Sequence, residues 1–347
     1  SLIICYTEYK SPFDMRIKSF IYIILLLVAA TGRADMASDA YNTGQFALAA
    51  KHYQILSDEG DPIAQNNLGT MYMRGKGIDL DFDSARELFK AAAKQSLPGA
   101  MFNLGIMNLR GYGKTKNTYK AAQWFKKGAE LGDIEAQFFL GVALAKGEGA
   151  DKNILEAKIW FSKAAAKGLA AAQFNLAILL LREGEKQEAI GFLKLASQQD
   201  HAAATFQLAG EYLKNVDSVE AQEKAFELML KLAEKGNKKA QMQIGLMYIF
   251  ANGTATNHQE GYFWLKESAL QGFEPAQHNL GSLYMQGIGK DPDPALSYAW
   301  LTIASASAEG ESEQNKQIKK TLSSQELELS KALVVELEAL IQDRSDK

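Results

Sequence analysis

Apolar and polar positions along the chain recur in two registers. In the first, a small residue (Ala64, Ala100, Ala136, Ala172, Ala204, Ala240, Ala276) is followed four positions later by Leu68, Leu104, Leu140, Leu176, Leu208, Ile244 and Leu280. The next position is Gly in five instances and Ala at Ala177 and Ala209. Successive instances lie 36 residues apart, with one step of 32 between Ala172 and Ala204. In the second register, Leu88, Trp124, Trp160, Phe192, Leu228, Trp264 and Trp300 take up all four tryptophans, and Phe89, Phe125, Phe161, Leu193, Met229, Leu265 and Leu301 lie beside them. Small, bulky, bulky and small residues at i, i+3, i+4 and i+7 make one apolar stripe on a helix, with charged residues opposite. At this spacing the tryptophan column reads as core rather than as a ligand platform. A period of a few dozen residues means stacked supersecondary units. The pattern predicts an all-α fold, a right-handed α/α solenoid of about seven helix-turn-helix repeats of 36 residues, with N- and C-terminal capping helices.

Turn chemistry divides the repeats. Gly60, Gly132, Gly168, Gly236 and Gly272 are placed to end the second helices as left-handed caps. The pairs Gly75/Gly77, Gly111/Gly113, Gly147/Gly149 and Gly287/Gly289 make the longer turn inside a repeat. They lack a preceding strand and a following Gly-Lys-Ser/Thr, so they read as hinges and not as a phosphate loop. The fourth repeat shortens this turn, and the fifth, KNVDSVEAQ, has no glycine in it.

The ends have a different character. Met15-Arg16-Ile17-Lys18 is a short basic start before the apolar run FIYIILLLVAA, Phe20 to Ala30. With Gly32 and Ala34 after it, this reads as a secretory signal cleaved after Ala34, or after Ala30. The run is short against the roughly 20 residues of a spanning helix, so no stable membrane span is expected after cleavage. The expected organisation is a leader of non-native character at 1–14, a signal at 15–34, N-terminal capping helices at 35–60, the solenoid at 61–308, and a C-terminal capping helix and tail at 309–347. Ser323 and Glu326 are spaced as a capping box for that closing helix.

Composition narrows the chemistry. The net charge of −3 gives no argument for nucleic acid. The one cysteine, Cys5, precedes the expected cleavage, so the mature chain would carry no thiol for disulfides, metal or nucleophilic catalysis. His52, His201, His258 and His278 are scattered, and no H-E-x-x-H, G-x-S-x-G or S-x-x-K string occurs. No catalytic, cofactor-binding or metal-binding residue is predicted, and no cofactor is expected.

The strings A-Q-x-x-L-G-x-x-Y-x-x-G-x-G, whole at Ala64 to Gly77 and Ala276 to Gly289, and A-x-x-W-(F/Y)-x-x-A-A, at Ala121 to Ala129 with one Gly for Ala, resemble the Sel-1-like repeat branch of the tetratricopeptide superfamily. The resemblance covers Asp35 to about Ala308, and the ending is similar to that of exported members. It implies a non-enzymatic adaptor or scaffold that binds a protein or peptide in its concave groove. It also implies an exported bacterial protein, periplasmic or secreted in a Gram-negative organism, for which a host protein is one possible partner. A cysteine-rich branch linked to β-lactam binding or hydrolysis carries paired cysteines, which this chain lacks.

Two columns on the first helices remain for a partner. One is amide-rich: Asn67, Asn103, Phe139, Asn175, Gln207, Gln243, Asn279. The other, seven residues on, is Arg74, Arg110, Lys146, Arg182 and Lys214, ending in Phe250 and Gln286. Both are expected on one narrow exposed strip. Amides there would hold an extended peptide and cations its carboxylates. The bland alternative for the cations is the helix dipole, worth about 0.3–1 kcal/mol each, and the amides could equally bond neighbouring backbone. A glycan or peptidoglycan binder using the same amides is the competing functional reading.

Overall fold

Each period folds as two helices joined by a short turn, because its apolar positions form one stripe on each helix. A computed structural model describes residues 33–306 and 313–345. The chain divides into two compact units, Ser1–Ala172 and Gln173–Lys347. In the first unit a helix at 33–42 and the helix Phe46–Asp58 precede three pairs: Pro62–Arg74 with Phe82–Lys94, Pro98–Arg110 with Thr118–Glu130, and Ile134–Lys146 with Ile154–Ala166. The helix Ala170–Glu183, whose first three residues belong to the first unit, is followed in the second by Lys186–Gln198 and by three pairs: Ala202–Leu213 with Val219–Glu234, Lys238–Phe250 with His258–Leu270, and Glu274–Gln286 with Pro294–Ala304. From Phe46–Asp58 to Ile154–Ala166, and from Lys186–Gln198 to Pro294–Ala304, helices successive in the chain pack on one another. The described residues form no strands.

The mid-helix glycines have a packing cause. A Cβ on Gly105 would lie 2.3 Å from the Phe125 ring, and one on Gly141 would lie 2.7 Å from the Phe161 ring. The bulky residue of the second helix thus rests on the bare backbone of the first, in Gly245 against Leu265 and Gly281 against Leu301 as well. Every member of that column, from Phe89 to Leu301, is buried. Burying one such side chain is worth about 1.5–3 kcal/mol, more than the roughly 1 kcal/mol that a helical glycine costs against alanine.

The tryptophan column meets its expected core placement in full only at two of its four tryptophans. Trp160 and Trp300 are buried, but Trp124 and Trp264 are only half-buried. Trp124 and Trp264 pack against the edge of the core, and the column beside them is buried throughout. Lys127 and Lys163 sit over the rings of Trp124 and Trp160, 4.5 and 3.9 Å from the centroids.

The second glycine of each long turn does more than hinge. Gly149 has φ +81°, and a Cβ on it would meet the Thr118 carbonyl oxygen of the preceding repeat at 2.1 Å. A Cβ on Gly77, Gly113, Gly253 or Gly289 would likewise come within 2.3, 2.7, 2.2 and 2.3 Å of Phe46, Phe82, Gln222 and His258. Each turn is therefore clasped onto the opening of the previous repeat's second helix. Side chains reinforce the clasp: the buried Arg86 donates from Nη2 to the Tyr112 carbonyl, and at the corresponding position Tyr262 Oη donates to the Ile288 carbonyl at 3.2 Å. In the fifth repeat the second helix starts one turn early, at Val219, which consumes the residues that elsewhere form the glycine turn.

A buried amide ladder joins repeats. Gln137, Gln241 and Gln277 are buried beside the small alanine of each first helix. Their Nε2 atoms donate to the carbonyls of Ala129, Ala233 and Ala269, in the last turn of the preceding repeat, at 3.2, 3.1 and 3.0 Å. The Oε1 atoms of Gln65, Gln173 and Gln241 accept from Gln95, Gln199 and Gln271 at 3.1, 2.9 and 2.6 Å. Position 167, which corresponds to those donors, is an exposed lysine, and Gln137 Oε1 is buried without a partner.

The expected leader at 1–14 and the expected signal as far as residue 32 lie outside the described residues. Arg33 and Ala34, at its end, begin the first described helix, and Arg33 pairs with Glu59. At the other end the single closing helix expected from sequence is two: Glu313–Thr321 and Ser324–Ser345. The break is at the capping box, where Ser323 N donates to Glu326 Oε2 at 2.8 Å and Glu326 N to Ser323 Oγ at 3.2 Å. The last helix buries Leu337 against Trp300 and Leu280, and Arg344 forms a bidentate pair with Glu267 at 2.9 and 3.1 Å.

Lys167→Gln supplies the missing donor, since Lys167 shares the backbone conformation of Gln95 and Gln271 (φ −87°, ψ 3° against −88°, 15° and −83°, 15°). It should stabilise the first unit by about 1 kcal/mol, measured as a rise in the denaturation midpoint. The second prediction concerns His201, whose Nδ1 caps the helix Ala202–Leu213 by accepting from Ala204 N at 3.1 Å. Burial lowers its pKa below the ordinary 6.5. A depressed imidazole leaves the folded state with fewer protons than the unfolded one, so stability is full above about pH 6.5 and falls as pH drops below it. His201→Asn copies the cap at Asn237 and should flatten that acid limb in melts between pH 7.5 and 5.

Candidate partner-binding site

The two columns expected on one exposed strip separate in the structure. The cations Arg74, Arg110, Lys146, Arg182 and Lys214 are all exposed. The amides Asn67, Asn103 and Asn175 are half-buried, as are Phe139, Gln207, Gln243 and Asn279. The difference follows from depth on the helix: the amide position lies one residue before the buried Leu68-type position, whereas the cation position is in the last turn.

Several amides have internal partners. Asn67 bonds the Tyr53 hydroxyl, whose pKa is raised by burial against the lowering effect of that bond. Asn103 Nδ2 donates to Asn66 Oδ1 at 2.9 Å, joining neighbouring repeats, and Gln207 Nε2 donates to Glu211 Oε1 at 3.1 Å.

The cations differ in pairing. Lys214 Nζ lies 2.6 Å from Glu211, a carboxylate whose side chain is only 2% exposed. Glu211 occupies a core position held by Met71, Met107, Leu179 and Met247 in other repeats, so it buries a charge and Lys214 neutralises it. Lys146 is 4.0 Å from Glu148, both well exposed. Arg74, Arg110 and Arg182 make no ion pair among the described residues.

In the first unit Arg110 and Lys146 open onto one cleft of about 230 Å³, with Lys116 and Glu148 on its rim and Phe125, Phe139 and Val142 among its lining. In the second unit a larger cleft, about 610 Å³, lies between the fifth repeat's shortened turn and the sixth repeat's turn. Leu213, Val216, Val219, Gln222 and Gln243 line it, and Val216 and Val219 are about three-quarters exposed. Phe250, exposed nearby in sequence where other repeats have a cation, makes this region more apolar.

The buried glutamines, Glu211 and the two clefts were absent from the sequence expectation. The glutamines left a signal, an Ala-Gln dipeptide at the same place in five repeats. Glu211 left one too, as an acid in an apolar column. Two of the histidines are structural: His201 caps a helix, and the His258 ring lies where a Cβ on Gly289 would go. No group of three or more His, Cys, Asp or Glu side chains converges as metal ligands among the described residues, and no described helix is long and apolar enough to cross a membrane.

Comparison with known proteins is consistent with this architecture. The Sel1 repeat matches residues 62–97, 98–133, 134–169, 170–201, 202–237, 238–273 and 274–308. Among solved structures the chain is similar to a protective antigen of uropathogenic Escherichia coli that displays an SLR fold, at 24% identity and a TM-score of 0.55 over 92% of this chain and 79% of that one. A Sel1 repeat protein from Oxalobacter formigenes is 25% identical over 81% of this chain and 98% of its own, with a TM-score of 0.48. No curated protein matches the chain. With seven consecutive repeats over most of its length, the chain belongs to the Sel1 repeat family, whose members are generally protein-interaction scaffolds.

Proposed function

We propose that the chain is an exported, non-enzymatic scaffold that holds a protein or peptide partner through the cations at the ends of its first helices. One observation carries this reading: Arg74, Arg110 and Arg182 are exposed at the same register and have no ion-pair partner among the described residues. Helix stability alone does not call for them. The helices Lys238–Phe250 and Glu274–Gln286 end without a cation, and close on the same left-handed cap at Ala251 and Gly287. A guanidinium presented in this way suits a carboxylate, which it can hold bidentately.

A glycan or peptidoglycan partner has less support, because it relies on the amide column. Asn67 and Asn103 are occupied within the fold. Catalysis of the β-lactam kind has no candidate residue, since the chain's one thiol is Cys5.

Charge reversal at Arg110 and Arg182 together should cut capture of the partner from envelope or culture extract at least tenfold, with the melting transition unmoved. Unchanged capture would sink the proposal. Export rests on the basic start and apolar run at 15–30 and on small residues after it. Mass spectrometry of the chain recovered from its native cells should find an N-terminus at Asp35 or at Thr31, and an intact Met15 would refute cleavage.

A further inference from the structure

The second repeat is a charge exception. Between Pro98 and Asp133 it carries Arg110, Lys114, Lys116, Lys120, Lys126 and Lys127 against only Glu130 and Asp133, in a chain whose net charge is −3. The third repeat is an exception in the amide column, where Phe139 stands in place of Asn or Gln. The structure brings the two together. Arg110, Lys116 and Lys146 rim the cleft of about 230 Å³, and the Phe139 ring stacks on Phe125 inside it, with centroids 5.2 Å apart. Phe102 closes on the same pair at 5.6 and 6.1 Å. Val142 adds further apolar lining, and Glu148 is the one carboxylate present.

We infer that this cleft receives a peptide segment in which a carboxylate side chain lies next to an aromatic or large aliphatic one. The inference rests on the scaffold reading above and assigns it a place and a sequence preference. The size argues for a side chain: pockets for drug-sized ligands run to roughly 300–1,000 Å³, above this one. The rim supplies three cations to one acid, and Arg110 has no ion pair among the described residues. The phenyl floor gives a second requirement that charge alone does not meet. An apolar side chain leaving water against Phe139 and Val142 fixes where the carboxylate falls, within reach of the Arg110 fork.

The test uses fluorescence anisotropy on the purified chain with a labelled nine-residue peptide of glutamates around one phenylalanine. Matched peptides have that phenylalanine replaced by serine, or the glutamates by glutamine. The acidic aromatic peptide should bind, and both substituted peptides should bind at least fivefold more weakly. Arg110→Glu and Lys146→Glu should each lower affinity at least tenfold with an unchanged helical circular dichroism signal. Lys186→Glu, an exposed charge reversal in the fourth repeat, should leave it unaltered. Equal binding of the serine peptide, or indifference to Arg110→Glu, overturns the inference. So does tighter binding of a labelled oligothymidylate, which would make the basic repeat a nucleic-acid surface. If Arg110→Glu leaves peptide binding intact while the double reversal at Arg110 and Arg182 still lowers partner capture, this site falls and the wider scaffold reading stands.

Discussion

A bulky side chain resting on a bare Cα sets the distance between the two helices of a repeat. Phe125 over Gly105 and Phe161 over Gly141 leave no room for a methyl group. The helix pair is therefore held at backbone contact, and the remaining side chains adapt to that separation. Ala100 and Ala136 are buried next to it, and the Gln137 side chain has the depth to reach the Ala129 carbonyl. In the tryptophan column, one position away, Trp124 and Trp264 are left half-buried. A small change in the central contact would move the helix ends, and with them the cations that the helices present.

The periodicity made the architecture legible because core positions in a repeat protein are the same position many times over. Seven instances of one stripe average out local irregularity, so helix limits, turns and the buried bulky column could all be read. The candidate site was only half legible, for the opposite reason. Spacing places Asn67 and Arg74 on one face of a helix, but it does not give depth. Depth depends on the neighbouring repeat, whose Asn66 and Tyr53 take up the amides, while Arg74 extends past them into solvent. The cleft at Arg110 was hidden too, since it combines two exceptions from adjacent repeats, and periodic reading sets exceptions aside.

Polar groups inside this array act mainly as joints. The glutamine ladder satisfies carbonyls at the end of one helix from the next repeat, which apolar packing cannot do. In the fifth repeat Thr205 stands in place of the glutamine, and its hydroxyl bonded to Ser197 of the fourth repeat at 2.8 Å keeps the joint. Among the described residues Glu211 is the one place where a carboxylate replaces a core methionine or leucine, and its partners are local, Gln207 in the same helix and Lys214 at its C-cap. The fifth repeat thus spends its amide and its cation on one buried carboxylate, which distinguishes it from the repeats before it.

The clasp made by the second turn glycine has a direction. Gly113 covers the start of the helix at Phe82, Gly149 that at Thr118, and Gly289 that at His258; in each case the later repeat completes the earlier one. A chain emerging from the ribosome would hold each newest repeat unfinished until roughly thirty more residues had appeared. Completion then advances from the N-terminus as a wave. The seventh pair is followed by helices of another kind, Glu313–Thr321 and Ser324–Ser345, which pack on Tyr298 and Leu301. Those closing helices thus do for the seventh repeat, by apolar packing, what a following turn does for the repeats before it.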